Sequence, residues 1–179
     1  MTRADLLTLL DDYRARYPDE RAVVARFVQL LDEPRCFARD WWLPGHITGS
    51  AWLVDRAGEH VLLTHHRKLG RWLQLGGHAD GDENVLRVAQ REAEEESGLA
   101  VEPVGRRLLD IDIHEIPARG TDPAHYHFDL RFAFRATVSD AFIVSDESHA
   151  LRWVHVDAVE SFVDEASIRR MAVKRGADN

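Results

Sequence analysis

The stretch from Gly77 to Leu99, GHADGDENVLRVAQREAEEESGL, constrains this chain more than any other. Read as a helix at about 100° per residue, it puts Val85, Val88 and Ala89 in one stripe. Glu92, Glu95 and Glu96 continue that stripe, while Glu94 points the other way. A face that begins as core therefore ends as carboxylates in a half-buried cleft. Burying that much negative charge is costly unless something positive offsets it. A hard divalent cation suits the purpose, because Mg²⁺ takes oxygen ligands and often shares its shell with substrate phosphates.

The flanks agree with that helix. Gly76-Gly77 leads in and lets the backbone approach a ligand or another segment closely. Asp80, Asp82 or Asn84 can cap the start. Gly98 is placed to end the helix in the left-handed conformation, with Leu99 packing back. Arg91 can reach Glu95 one turn on, or Glu83, and so hold a carboxylate in position.

These residues and spacings resemble the Nudix box, G-x5-E-x7-R-E-U-x-E-E-x-G-U with U apolar. Here the defined positions are Gly77, Glu83, Arg91, Glu92, Ala93, Glu95, Glu96, Gly98 and Leu99; Ala93 is small for its place. Upstream, the W-x-x-P-G-G common in that family is matched by Trp72 and Gly76-Gly77, with Leu75 in place of the proline and His78 following directly. The resemblance implies an α/β fold, a Nudix-like α/β/α sandwich around a mixed β-sheet. It implies Mg²⁺ or Mn²⁺ held by Glu92, Glu95 and Glu96, with the Gly77 carbonyl and Glu83 as further metal groups. It implies hydrolysis of a phosphoanhydride in a nucleoside diphosphate linked to another group X, with Glu95, Glu96 and Arg91 in the catalytic machinery. Isopentenyl diphosphate isomerases share the fold but use a cysteine, and Cys36 is the one cysteine here, in the N-terminal arm. Non-catalytic metabolite sensors of this kind usually lose box glutamates, and this chain keeps them all.

The 179 residues suit a single domain, and the net charge of −8 argues against nucleic acid or an anionic membrane as main partner. It leaves room for a small phosphorylated nucleotide-type substrate, because a metal supplies local positive charge. One cysteine suits a reducing compartment, and neither a signal peptide nor a membrane-spanning run is legible, so the expectation is a cytoplasmic protein.

Residues 2–16 and 19–34 read as two amphipathic helices broken at Pro18, the first capped by Thr2 with Asp5. We expect residues 1–40 to form a helical extension packed on a Nudix domain of residues 41–179; it can cap the domain, shape the pocket or pair with a second subunit in a homodimer. Residues 36–46 form an aromatic loop whose Trp41 and Trp42 suit stacking on a ring or pinning the arm. Strands are expected at 47–55, 59–65, within 101–116, at 125–138 and at 151–156, with a closing helix at 164–175. His65, His66, Arg67, Lys68 and Arg71 gather positive charge just before the acidic box, and Arg71 and His78 are candidate substrate contacts. In the 145–153 loop, Glu147 is the candidate general base that family resemblance suggests, with Asp146 and His149 beside it.

The segment 124–134, AHYHFDLRFAF, alternates with period two. Tyr126, Phe128, Leu130, Phe132 and Phe134 form one face; His125, His127, Asp129 and Arg131 form the other. The preceding strand places Asp110, Asp112 and His114 on one side. If the two strands pair, their polar sides meet. Histidine is a poor choice for a merely wet strand, so we expect phosphate contacts there, His127 and Asp129 first, or an additional metal site with imidazole and carboxylate ligands.

Overall fold

The computed structural model describes residues 1–67, 69–145 and 148–176. It opens with helices α1 (Arg3–Arg16) and α2 (Arg21–Leu31), separated by a tight turn over Pro18–Glu20. Thr2 and Asp5 form a reciprocal capping box at the start of α1. The strands are β1 (Gly45–Val54), β2 (His60–His66), β3 (Arg71–Leu73) and β4 (Leu75–His78), then β5 (Val101–Pro103), β6 (Asp110–Ile116), β7 (His125–Ala136) and β8 (Ser148–His155). Helix α3 (Val85–Ser97) lies between β4 and β5, and α4 (Val159–Phe162) and α5 (Ala166–Lys174) close the chain.

Among the described residues the strands form one eight-stranded mixed sheet. The order is β3-β2-β1-β7-β5, with β4 also on β1, β6 on β7 and β8 on β2. β1 and β7 run parallel over ten residue pairs, from Gly45 opposite Tyr126 to Val54 opposite Arg135. β6 lies antiparallel to β7, with Asp110 opposite Arg131, Asp112 opposite Asp129 and His114 opposite His127. Strands β3 and β4 were not expected; segments of three and four residues are too short for periodicity to register.

The two faces of the sheet carry different cores. On one, Ile47, Phe128 and Leu130 pack with Val85, Val88 and Ala89 of α3 and with Leu6, Leu10 and Phe27 of the helical pair. Helices α1 and α2 therefore share the domain's core. On the other, Trp52, Val61 and Leu63 pack with Val154 and with Ile168 and Met171 of α5. The sheet thus lies between helices, as two-faced burial of a strand like β1 requires. Gly49 sets how closely α3 approaches: a Cβ there would sit 3.0 Å from Val85 Cγ1 and 3.2 Å from the Ala89 nitrogen. Among the described residues no helix is long and apolar enough to cross a membrane.

Candidate functional site

Helix α3 is fixed at both ends by its own sequence. The Asn84 side chain caps it by accepting from the Arg87 N–H, and Asp82 accepts from the Asn84 N–H at 2.8 Å. Gly98 ends it in the left-handed conformation at φ 69°. Its apolar stripe, with Ala93, lies flat on β1 and β4. That orientation turns Glu92 and Glu96 toward β4, where Glu96 is only 9% exposed and the Glu92 side chain 15%. Glu95 falls at the other edge, 61% exposed, because buried Ala93 rotates the inward face away from it.

The Gly76-Gly77 backbone is what these two carboxylates meet. The Gly76 N–H donates to Glu96 Oε1 at 2.8 Å. A Cβ on Gly77 would overlap the Glu92 carboxylate, falling 2.5 Å from its Cδ. Oxygen donors on one helix thus crowd against a bare backbone, a donor set that fits a hard divalent cation. Arg91 organises the approach: it pairs with Glu92 at 2.8 Å and Glu95 at 3.2 Å, and donates to the His78 carbonyl at 3.1 Å. It does not pair with Glu83. Glu83 instead meets Arg3 of α1 at 3.4 Å, and Arg3 also donates to the Leu31 and Glu33 carbonyls. The sequence gives no hint of that link between the helical pair and the box.

The expected polar face of β6 and β7 exists, and β1 extends it. Gly49 faces α3, so Thr48 and Ser50 face away from it, in phase with His46, His127 and Asp129. His127 thus lies across the sheet from α3, ringed by imidazoles rather than by the box carboxylates. Its ring centroid is 4.8 Å from His46, 5.0 Å from His78, 5.2 Å from His125 and 5.5 Å from His114. Burial and these neighbours push its pKa far below the ordinary histidine value. His78 is the seam between the two regions: its ring joins the cluster and its carbonyl binds Arg91.

Asp129 has no oxygen to offer a substrate. It is 1% exposed; Thr48 at 3.0 Å and Ser50 at 2.8 Å donate to one oxygen, Gln74 at 3.2 Å and Arg131 at 2.7 Å to the other. Arg131 also pairs with Asp110 at 3.1 Å and Asp112 at 3.4 Å. From α5, Arg170 reaches both aspartates at 2.8 Å, and Lys174 reaches Asp110 at 2.7 Å. Burial works against ionised Asp112, but its bond with His114 and the charges of Arg131 and Arg170 outweigh that and hold its carboxyl below the usual range. These charges tie β6, β7 and α5 together. The alternation in β7 pointed to the face, but nothing local marks His46, Ser50, Gln74 or Arg170 as its partners.

The remaining expected groups lie elsewhere. Arg71 is largely exposed on β3, 3.4 Å from Glu165 at the foot of α5. Glu147, Asp146 and Lys68 fall outside the described residues. Cys36 is buried, and burial pushes its thiol up to about 11, which does not suit isomerase-type cysteine chemistry. Trp42 lies on the histidine cluster, 4.7 Å from His125 between ring centroids.

A family model described as NUDIX domain matches residues 45–173. No curated protein matches the chain. Among solved structures, a NUDIX-family hydrolase from Clostridium perfringens is similar at 24% identity and TM-score 0.53, over 75% of this chain and 98% of that one. A MutT protein from Methanosarcina mazei Go1 is similar at 21% identity and TM-score 0.57, over 74% and 94%. A C. elegans Ap4A hydrolase is similar at 17% identity and TM-score 0.53, over 74% and 96%.

Proposed function

The chain belongs to the NUDIX domain family and is a Nudix-type pyrophosphohydrolase, and we propose that it uses Mg²⁺ or Mn²⁺ to cleave a nucleoside diphosphate linked to another group X. The observation that carries this reading is the meeting of Glu92 and Glu96 with the Gly76-Gly77 backbone. Glu92, Glu96, the Gly77 carbonyl and Glu95 at the rim are the groups that would hold the cation. When bound, the cation neutralises charge on the diphosphate oxygens and orients water for in-line attack at phosphorus.

The chain's own residues do the rest. Arg91 aims Glu92 and Glu95 and anchors them to the His78 carbonyl, which makes it a positioning residue. A carboxylate takes the proton from the attacking water, with Glu95 of α3 one candidate and Glu147 the one that family resemblance suggests. Glu83, held by Arg3, links the helical pair to the start of the box and is a supporting residue in this reading. The C. elegans fold neighbour is an Ap4A hydrolase, which is in keeping with a nucleotide-type substrate.

A panel of nucleoside diphosphate conjugates, assayed with and without Mg²⁺ and with product masses read out, tests the proposal. Cleavage should require the metal, and the masses should show which phosphorus is attacked. Turnover undiminished in excess chelator, or no cleavage of any diphosphate conjugate, would overturn it.

A further inference from the structure

The histidine cluster on the far face of the sheet has the construction of a second metal site. The parallel register of β1 and β7 sets His46 directly opposite His127, and the two-residue period of β7 adds His125 on the same face. One ligand nitrogen from each of the three lies within 4.8 Å of the others. A tetrahedral ion with bonds of about 2.0–2.1 Å holds its nitrogens about 3.3 Å apart, so the rings draw together by up to about 1.5 Å on binding.

The protons are already arranged for ligation. His46 Nδ1 lies 3.1 Å from the Trp41 carbonyl and His125 Nδ1 lies 2.8 Å from the Pro123 carbonyl. A carbonyl only accepts, so each Nδ1 carries the hydrogen and each Nε2 keeps its lone pair. A backbone carbonyl holding the second ring nitrogen is the usual support of a metal-bound histidine. His46 is fully buried, and its Nε2 has no hydrogen-bond partner among the described residues. A buried acceptor left unpaired is costly, and a metal ion would satisfy it.

With its Nδ1 hydrogen on the Trp41 carbonyl and its Nε2 buried without a hydrogen-bond partner among the described residues, the His46 ring presents a lone pair to the cluster. His78 and His114 flank the three, and Trp42 covers His125 and reaches His46 at 6.1 Å. Asp129, the carboxylate nearest in register, is committed to Arg131 and its neighbours and takes no part.

We propose that His46 and His125, through their Nε2 atoms, and His127, through one ring nitrogen, bind one borderline transition-metal ion of the Zn²⁺ class at a site separate from the carboxylates of α3. The donors are all nitrogen, which suits Zn²⁺, Ni²⁺, Cu²⁺ or Co²⁺ and disfavours Mg²⁺. The ion would clamp β1 to β7, beside the β4 segment that carries Gly77. This site does not depend on the hydrolase reading, and its test does not use turnover.

The full chain, stripped with chelator, is titrated with Co²⁺ and followed by visible absorption, then with Zn²⁺ in competition. One equivalent should give the intense bands of a low-coordinate Co²⁺ centre, and Zn²⁺ should displace it. In Glu92→Gln/Glu96→Gln the signal should persist. In His125→Gln, at the cluster edge, affinity should fall at least tenfold. Should that variant not fold, the parent chain loaded with one Cu²⁺ decides: its paramagnetic resonance spectrum should show splitting from imidazole nitrogens. Absence of a stoichiometric low-coordinate Co²⁺ signal, its loss with the box glutamates, its survival intact in a folded His125→Gln, or a Cu²⁺ spectrum with oxygen ligands alone would overturn the proposal.

Discussion

Gly76 and Gly77 are neighbours, yet replacing each by alanine should do opposite things. At Gly76 the added Cβ would fall 2.7 Å from Ser50 Cα and 2.8 Å from the Gly49 carbonyl oxygen, backbone atoms fixed by the β1–β4 ladder. The residue also has φ +156°, which side chains rarely adopt. Overpacking of about 1–3 kcal/mol and backbone strain of about 1–3 kcal/mol combine to about 2–6 kcal/mol. At about 2–4 °C per kcal/mol for a chain of this size, Gly76→Ala should melt about 4–24 °C lower. At Gly77 the Cβ meets the far end of one flexible side chain, the Glu92 carboxylate, which can rotate away. That rotation costs about 0.5–1.5 kcal/mol, and alanine regains about 0.4–1 kcal/mol by restricting the unfolded chain. Gly77→Ala should therefore melt within a few degrees of the parent. It moves Glu92 off its position, however, and a shift of that kind typically lowers metal affinity or activity about 10–100-fold. Thermal melts, Mg²⁺ titration of turnover and the two variants side by side make the assay. A Gly77→Ala protein within twofold of the parent in both turnover and Mg²⁺ requirement would refute the account of the site, as would a Gly76→Ala protein that melts with the parent.

Glu96→Gln should cut turnover by at least about 100-fold while leaving the melt unchanged or raised, since one buried charge is removed; circular dichroism and product release read both. Glu147→Gln and Glu95→Gln separate the candidate bases: the true one should lower kcat far more than it raises KM and should remove the acid limb of the pH–rate profile. Arg131→Met leaves Asp129 with only neutral partners among the described residues, while Asp110 keeps Arg170 and Lys174. Urea unfolding should show a loss of about 3–5 kcal/mol, part of it recovered by adding Asp129→Asn. Asp112 has a folded pKa below its ordinary 3.8, so its contribution to stability is complete above about pH 4 and is lost as pH falls through the lowered value. Asp112→Asn should accordingly flatten the dependence of stability on pH below 4, and an unchanged acid limb would count against the ion-pair network.

Much of the box was legible because helices are local objects. The three- and four-residue steps of Val85, Val88, Ala89, Glu92 and Glu96, the Asn84 cap and the left-handed Gly98 all act within a turn or two of themselves. The capping box of Thr2 and Asp5 was legible for the same reason, as was the alternation of β7 and the pairing of its polar side with that of β6 across a short connector. Family resemblance added the expected fold and reaction class. Tertiary structure decided everything that depends on distant segments meeting. β1 lies parallel to β7, some eighty residues later, and parallel neighbours are never joined by a tight turn that sequence could reveal. That pairing alone turns His46 from an unremarkable residue into the partner of His127, and hands Asp129 to Thr48 and Ser50 instead of a substrate. The same holds for Arg3 on Glu83 and for Arg170 and Lys174 on Asp110: each charge was visible in the sequence, but its partner was not. Periodicity tells which way a side chain faces; only the packing of the sheet and its helices tells what it faces.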